Sequence, residues 1–419
     1  MQLIKRRLTA KIAHSLKTDR VCALMGPRQA GKTTLVRRLL QSDRELRYYN
    51  LKDPAVRKIL KENGQKEFDH FSEATIILDE VQTVPSLLEL IQVQVDEHPG
   101  RKGQFLLLGS NHLLLNQHIR ESLAGRVALF TLLPLALTEI LEQDRPTLLE
   151  LLLDAENIHA CESILAKTYV PMGESVQAAE LLADLNRFGG YPEFLERKNP
   201  GDRTDWLAHY HQTYLETDLR QLVELRNTES FETFEQLFTL RVGNLMNISE
   251  LARDCGLSAD TIRRFIGYYR QLFIAWQAKP YHVNIGKRMM KMSKYYFYDT
   301  GMLRSVLGNF TAVTGQFFEN TVLSEIQKIL SFRGGQQKLY FARTASGVEV
   351  DGYLETETTA TRLFLEIKQA DTVSRQDIRH LRKYTFAEPA GFGLLIYNGD
   401  RILNMDQRIR AVPAAWLLA

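Results

Sequence analysis

The chain has few cysteines and no long apolar runs. Its 419 residues include three cysteines, Cys22, Cys161 and Cys255, which are widely spaced and form no C-x-x-C pair. This usage is typical of a reducing compartment and argues against a disulfide framework or a zinc site. No stretch is apolar enough to span a bilayer, and residues 1–7 lack the apolar core of a signal peptide. We therefore expect a cytoplasmic protein that makes no membrane contact.

The overall charge is nearly balanced, but its distribution is uneven. Net charge is +3, hydrophobic residues make up 44% of the chain and charged residues 25%, which are values typical of soluble globular proteins. Residues 247–294 contain nine Lys or Arg against three acids, a local excess of +6. The ten histidines show no helical H-x-x-x-H pair, so none is assigned to a metal.

Residues 26–33 fit the phosphate-loop pattern G-x-x-x-x-G-K-[ST] at every fixed position. An apolar strand is predicted before the loop, at 21–25, and a helix after it, at 34–40. A glycine loop between a strand and a helix N-terminus binds anions through backbone N–H groups and the helix dipole. Lys32 is expected to reach the phosphates and Thr33 to ligate Mg²⁺. The alternative is an ordinary glycine turn. The predicted nucleotide-binding residues are Gly26, Pro27, Arg28, Gln29, Ala30, Gly31, Lys32, Thr33 and Thr34.

A second apolar segment, 74–78, ends in the two acids Asp79 and Glu80, as in a Walker B strand. Asp79 is expected to bind Mg²⁺ and the nucleotide, and Glu80 to orient and deprotonate the attacking water. Taken alone, two acids at a strand end favour a solvated turn, but together with the upstream loop they favour a nucleotide site. A third strand, 105–109, is followed by Ser110, a candidate sensor of the γ-phosphate and also a common turn residue.

The secondary-structure pattern predicts an α/β protein with four parts. Residues 1–140 alternate strands and helices, including strands at 46–51 and 126–130, which favours a parallel sheet with helices on both faces. Residues 141–240 are predicted to form a helical lid. Residues 241–310 contain a winged helix-turn-helix candidate, and residues 311–419 return to a mixed α/β pattern.

The helix-turn-helix candidate begins at Asn247, which is expected to cap its first helix. Gly256 lies in the predicted turn and Ser258 caps the second helix, whose first turns carry basic residues. Apolar runs at 273–276 and 295–298 are predicted wing strands. The unit fits either contact with double-stranded DNA or a purely structural or protein-binding role.

A second chemical pattern lies near the C-terminus. Asp351 is followed by Glu366 and Lys368, the D…E-x-K arrangement of a metal-dependent nuclease core, and Glu319 lies on a preceding predicted helix. Asp351, Glu366 and Glu319 are candidate ligands of one or two Mg²⁺ ions, while Lys368 is expected to orient water or stabilise negative charge on phosphate. Acids and lysine also alternate with apolar residues on ordinary half-exposed strands, and cleavage remains a separate question.

Over nearly its full length, the chain resembles prokaryotic AAA-type ATPases that carry the C-terminal domain of unknown function 4143. The resemblance rests on the two nucleotide motifs, the FLLLGSN run at 105–111, KYYFYDTG at 294–301 and the D…E-x-K set. It implies an ATPase core, a winged helix and a restriction-endonuclease-like, PD-(D/E)xK terminal fold. It further implies that Arg126 senses the γ-phosphate or acts as an arginine finger; the alternative is a surface ion pair. Asp218 and Arg220 match a charged motif of the family.

These observations predict an ATP hydrolase that uses Mg²⁺ and whose nucleotide state regulates a nucleic-acid-binding module with a nuclease-like core. The alternative is an ATP-gated scaffold that cleaves nothing and recruits a protein through the winged helix. A finger role for Arg126 acting on a neighbouring subunit would require a homo-oligomer, whereas action within one chain would not.

Overall fold

The computed structural model describes residues 3–40, 44–110, 123–214, 228–281, 292–312, 314–334, 338–344, 346–355 and 361–419. The chain divides into two compact units. The first contains residues up to 135 together with 271–273, and the second contains residues 136–270 and 274–419. The motif at Asp218 and Arg220 lies outside the described residues.

The first unit is built on a parallel sheet. Its described strands are β1 (Val21–Met25), β2 (Leu46–Asn50), β3 (Thr75–Asp79), β4 (Phe105–Gly109) and β5 (Val127–Thr131). Their order is β2-β3-β4-β1-β5, and every neighbouring pair is parallel. Every residue of β1, β3 and β4 is buried, as expected for strands that are continuous apolar runs. The predicted parallel sheet is confirmed.

Helices connect the strands of the first unit. They are α1 (Leu8–Thr18), α2 (Lys32–Thr34) continued by a π-helical segment (Leu35–Leu39), α3 (Pro54–His70), a 3₁₀ turn (Val81–Thr83) and α4 (Ser86–Glu97). Helix α3 begins where the Asp53 carboxylate accepts a hydrogen bond from the Ala55 amide at 2.8 Å and proline takes the first helical position. The helix predicted after the phosphate loop is thus present, but much of it is π-helical.

The second unit begins with helices. They are α5 (Leu137–Ile140), α6 (Leu148–Leu153), α7 (Ile158–Lys167), α8 (Met172–Phe188), α9 (Pro192–Glu196), α10 (Pro200–Tyr214), α11 (Thr228–Leu240), α12 (Ile248–Asp254) and α13 (Ala259–Gln271). Between 141 and 240 the described residues contain helices and no strand, as the sequence predicts. A capping box starts α6, because Thr147 and Glu150 each accept a hydrogen bond from the other's backbone amide.

Helices α12 and α13 lie where the sequence predicts a helix–turn–helix. Asn247 Oδ1 accepts hydrogen bonds from the amides of Ser249 and Glu250, and Gly256 takes a left-handed φ of +64° in the turn. Ser258 Oγ accepts from the Thr261 amide at 3.1 Å. The assignment of this segment as a winged helix remains a prediction.

A second, mixed sheet organises the C-terminal half. Its described strands are β6 (Ala275–Pro280), β7 (Lys294–Phe297), β8 (Lys338–Arg343), β9 (Glu349–Glu355), β10 (Arg362–Lys368), β11 (Gly391–Tyr397), β12 (Leu403–Asp406) and β13 (Ile409–Pro413). Their order is β12-β13-β11-β10-β9-β8-β6-β7. The expected wing strands correspond to β6 and β7. They pair antiparallel, but β6 also pairs with β8, so the hairpin continues the large sheet.

The remaining helices are α14 (Thr300–Leu307), α15 (Gly315–Arg333), α16 (Arg379–Ala387) and α17 (Ala414–Leu418). Helix α15 is buried along most of its length, and its Asn320 side chain bonds both the amide and the carbonyl of Phe297 at the end of β7. This side-chain amide ties the helix to the strand. Within the described ranges, no helix has both the length and the apolar character needed to cross a bilayer.

Candidate functional site

The phosphate loop connects the end of β1 to the start of α2. Gly26 and Gly31 adopt φ values of +155° and +96°, which a side chain disfavours. At Gly26, a Cβ would lie 2.0 Å from the carbonyl oxygen of Leu132, just after β5. Ala30 is fully buried. The two glycines therefore let the loop fold tightly against the strand ends, where the sequence predicts it.

Lys32 directs its ammonium back into this loop. Nζ donates to the carbonyl oxygens of Gly26 and Pro27 at 2.8 Å each, and only 7% of the residue is exposed. Burial lowers the pKa of Lys32 to about 8, although the nearby carboxylates of Glu80 and Asp79 favour the charged form. The loop thus contains a buried cation whose hydrogen-bond acceptors are neutral carbonyls, and a phosphate group would stabilise its charge.

Thr33 and Asp79, the two predicted magnesium ligands, lie in contact. Thr33 Oγ1 donates to Asp79 Oδ2 at 2.8 Å, and the Tyr48 hydroxyl donates to the same oxygen at 2.5 Å. Burial, followed by the bond to Asp79, raises the pKa of Tyr48, which keeps it a donor. Sequence reasoning missed Tyr48. The signal available was its place on β2, the parallel neighbour of β3, whose last residue is Asp79.

Glu80 follows Asp79 in a left-handed conformation with a φ of +59°. Its carboxylate forms an ion pair with Lys52 Nζ at 2.7 Å. It also accepts hydrogen bonds from Gln82 Nε2 at 2.5 Å and from the Ser110 hydroxyl at 3.0 Å. Burial alone would raise the pKa of Glu80, but the hydrogen bond and charge of Lys52, with the Gln82 bond, lower it to about 2. The predicted base and the predicted sensor Ser110 therefore share one network. Lys52 and Gln82 were not assigned from the sequence.

Arg126 lies outside this network in the structure. Its guanidinium makes a two-pronged ion pair with Asp96 on α4, with Nε and one terminal nitrogen 2.6 and 2.9 Å from the two carboxylate oxygens. This matches the surface ion pair that was the alternative to a γ-phosphate role. Arg28 and Thr34 are half-buried, at the loop and in α2 respectively.

The residues around the loop fit a magnesium–nucleotide complex. A hydroxyl and a carboxylate oxygen, from Thr33 and Asp79, are the hard ligands that Mg²⁺ prefers. Both lie at the carboxyl edge of the parallel sheet, beside a loop that contains a buried ammonium group. Parallel α/β sheets bind ligands at this edge.

The C-terminal acids lie on neighbouring strands of the second unit. Asp351 on β9 accepts a hydrogen bond from the Ile367 amide of β10 at 2.8 Å, and Lys368 Nζ contacts Glu366 Oε1 at 2.8 Å. Burial raises the pKa of Asp351. Burial and the charge of Asp351 raise the pKa of Glu366 to about 7. The other oxygen of Glu366, Oε2, is buried without a hydrogen-bond partner.

Glu319, the third predicted acid, lies beside a buried lysine. Its Oε1 accepts a hydrogen bond from the Tyr296 hydroxyl at 2.6 Å and lies 3.9 Å from Lys294 Nζ, which also contacts Glu349 at 2.5 Å. Lys294 is only 3% exposed. Burial, followed by the charge of Asp351, raises the pKa of Glu319 to about 8. Lys294, Tyr296 and Glu349 were not identified from the sequence.

Among the described residues, no three or more His, Cys, Asp or Glu side chains form a group able to hold a metal ion. The expected convergence of Glu319, Asp351 and Glu366 on Mg²⁺ stays a prediction, and the charge of Asp351 acts on both of the other acids. Lys294 supplies a buried positive charge beside Glu319. Asp351, Glu366 and Lys368 do lie together, as the D…E-x-K pattern predicts.

Comparison with known proteins assigns both ends of the chain. Residues 18–141 match a family model described as an AAA domain, and residues 314–417 match the domain of unknown function 4143. The chain thus matches an AAA-domain model in its N-terminal part and the domain of unknown function 4143 in its C-terminal part. This pairing confirms the resemblance predicted from the motifs. A third model, domain of unknown function 8612, matches residues 179–312.

Three similar proteins carry no functional description. Proteins of Mycobacterium tuberculosis and Mycobacterium bovis are each 29% identical to this chain, over 99% of this chain and 85% of the relative. A Haemophilus influenzae protein is 22% identical over 74% of both chains. All three are described only as "uncharacterized protein", so they indicate no substrate. The match to the AAA-domain model supports nucleotide binding.

Proposed function

We propose that the first unit binds and hydrolyses Mg-ATP, and that its nucleotide state regulates a nucleic-acid-binding module in the rest of the chain. One observation carries the proposal: the Thr33 hydroxyl and the Asp79 carboxylate are in hydrogen-bond contact beside the buried ammonium of Lys32. These three groups come from two separate sequence motifs. Their meeting at one sheet edge supports a common ligand that combines phosphate with a divalent ion.

In this proposal each side chain has a defined part. Lys32 would contact the β- and γ-phosphates, and Thr33 Oγ1 and Asp79 would hold Mg²⁺, which would neutralise charge on the phosphates. Glu80 orients the attacking water and accepts its proton. The Lys52 contact, which lowers the pKa of Glu80 to about 2, keeps this carboxylate ionised but weakly basic, and loss of that contact would strengthen it as a base.

The experiment is a steady-state ATP hydrolysis assay on the full chain. Lys32→Ala is expected to abolish turnover, because removing the cation removes stabilisation of the charge on the phosphates in the transition state. Lys58→Ala is the matched control, since Lys58 is an exposed lysine on α3 of the same unit. Turnover by Lys32→Ala equal to that of wild type would show that the site is assigned wrongly.

A scaffold that binds ATP with little turnover is the second candidate. It is favoured by the ion pair between Lys52 and Glu80, since this contact holds the proposed base away from a water molecule until it breaks. Saturable Mg-ATP binding with negligible hydrolysis, together with no salt-sensitive nucleic-acid binding, would select it. An oligomer in which Arg126 acts on a neighbour remains a prediction for either candidate.

Strand cleavage by the second unit is a narrower proposal. It is favoured by the unpartnered buried oxygen of Glu366 beside Asp351 and Lys368, because a divalent ion would satisfy both carboxylates. Plasmid nicking in the presence of Mn²⁺ by wild type, but not by Asp351→Ala, is the expected result. Equal nicking by both proteins would indicate a contaminating nuclease.

A further inference from the structure

A cavity of about 960 Å³ opens beside the end of β10 in the second unit. Glu366 and Lys368 line it on one side, and helix α16 with the turn before it lines the other. Helix α16 packs inward through buried residues, including Leu381 and Thr385, so its polar face is turned toward the cavity and solvent. The cavity therefore joins the D…E-x-K side chains to a helix that the sequence analysis did not assign to any function.

The lining is strongly basic. It contains the cations Lys368, Arg375, Arg379, Arg382 and Lys383, against the two carboxylates of Glu366 and Asp377. We call this set of residues the α16 groove. Positive charge concentrated in a concave surface attracts polyanions and raises their local concentration.

Three of these cations are not neutralised within the fold. Lys368 pairs with Glu366, and Arg382 contacts Asp406 at 2.8 Å. In the described part of the chain, Arg375, Arg379 and Lys383 make no ion pair with a carboxylate. Asp377 is engaged locally, since it accepts hydrogen bonds from the amide and hydroxyl of Ser374 at 2.7 and 2.9 Å. The positive charge is thus available to a ligand.

An aromatic ring completes the groove. Phe386, one turn after Arg382 and Lys383, is 38% exposed although it is a large apolar side chain. The guanidinium carbons of Arg408 and Arg382 lie 4.8 and 6.0 Å from its ring centroid. An exposed aromatic ring set among cations is the arrangement that binds unpaired bases by stacking while the cations contact phosphates.

We propose that the α16 groove binds a single-stranded nucleic acid, with phosphates on Arg375, Arg379 and Lys383 and a base stacked on Phe386. This deepens the proposed function and rests on its nucleic-acid-binding part, but it moves the contact from the helix-turn-helix to α16. A strand bound here runs past Glu366 and Lys368. A duplex would pair its bases with one another and leave none for Phe386.

The test is fluorescence anisotropy of labelled oligothymidylate and oligouridylate with the full-length protein over a range of salt concentrations. The groove variant replaces Arg375, Arg379 and Lys383 with glutamine. Its matched control replaces Arg253, Arg263 and Arg264 with glutamine, which removes three exposed cations from the helix-turn-helix. Thermal unfolding of both variants, expected to match wild type because all six residues are exposed, verifies the fold.

The groove variant is expected to bind weakly, with the slope of log K against log salt reduced by about 2 for the three lost phosphate contacts. Phe386→Ala is expected to weaken binding roughly tenfold with the salt slope unchanged, because stacking involves no counterion release. The control variant is expected to bind like wild type. Comparison of the thymidylate and uridylate arms assigns the strand to DNA or RNA.

Four outcomes would overturn the proposal: unchanged binding by the groove variant, an equal loss in the helix-turn-helix control, tighter binding of a duplex than of the single strand, or no salt-sensitive binding by wild type. ATP hydrolysis measured on the same samples separates this test from the proposed function. The groove variant is expected to hydrolyse ATP normally. If wild type bound the strand but did not hydrolyse ATP, the proposed ATP hydrolysis would be refuted and the proposed strand binding by the α16 groove would stand.

Discussion

Replacing Gly26 with alanine is expected to destabilise the first unit and weaken Mg-ATP binding. The new Cβ would lie 2.0 Å from the carbonyl oxygen and 3.0 Å from the carbonyl carbon of Leu132. These are backbone atoms, and the Leu132 amide donates to Met25 at 2.7 Å, so the segment cannot move aside without breaking a bond between strand ends. The loop must therefore shift, which displaces the Gly26 carbonyl that Lys32 contacts.

The magnitude follows from two terms. A backbone conformation reserved for glycine and an overpacked contact together cost about 2–5 kcal/mol. Gly125→Ala is the matched control, because Gly125 has a φ of +73° but a Cβ there would meet nothing within 4 Å. Its cost is the conformational term alone, about 1–2 kcal/mol.

Calorimetric unfolding of the two variants, each beside wild type, measures the difference. For a unit of this size we expect Gly26→Ala to unfold roughly 5–15 °C below Gly125→Ala. Isothermal titration with Mg-ATP should show weaker binding by Gly26→Ala than by Gly125→Ala. If Gly26→Ala unfolded no earlier than Gly125→Ala and bound Mg-ATP equally well, the packing of the loop against Leu132 would be refuted.

Three further predictions concern single side chains. Burial lowers the pKa of Lys32 to about 8, and bound phosphate favours its charged form. Mg-ATP affinity should therefore fall about tenfold from pH 7 to pH 9, and Lys32 should take up a proton when Mg-ATP binds. Calorimetry in two buffers of different ionisation enthalpy measures the uptake, and a constant affinity with none would contradict it. Glu80→Gln should keep Mg-ATP binding but slow hydrolysis by about 10²–10⁴-fold, since the proton acceptor is lost; wild-type turnover would exclude Glu80 as the base. Lys294→Met should destabilise the second unit by about 1–3 kcal/mol, measured by urea unfolding, because half-buried Glu319 loses its cation and Glu349 keeps only Arg343. The exposed Lys279→Met is its control, and equal effects would argue against the buried ion pair.

The sequence predicts the elements whose signal is local. The runs that form β1, β3 and β4 are apolar throughout, and the glycines and Lys32 occupy fixed positions in one loop, so neighbouring residues suffice to identify them. The contact between Thr33 and Asp79 was also foreseeable, because parallel strands bring their carboxyl ends to one sheet edge.

Contacts made by packing between distant segments were not foreseeable. Tyr48 and Lys52 reach Asp79 and Glu80 from β2 and the turn after it, and neither residue lies in a recognisable motif. Lys294 is separated by 55 residues from its partner Glu349, so the sequence gives no sign that a lysine neutralises the acids near Glu319. The wing assignment of β6 failed to anticipate its pairing with β8, which depends on strand neighbours rather than on local pattern.

The most direct test of the nucleotide site is calorimetric titration of Mg-ATP into the purified, folded full-length protein and into Lys32→Ala at pH 7. We predict saturable binding by wild type and binding at least about tenfold weaker by Lys32→Ala, since a charge-assisted contact to phosphate is lost. The account would be contradicted if wild type released no heat of binding, or if Lys32→Ala bound Mg-ATP with unchanged affinity.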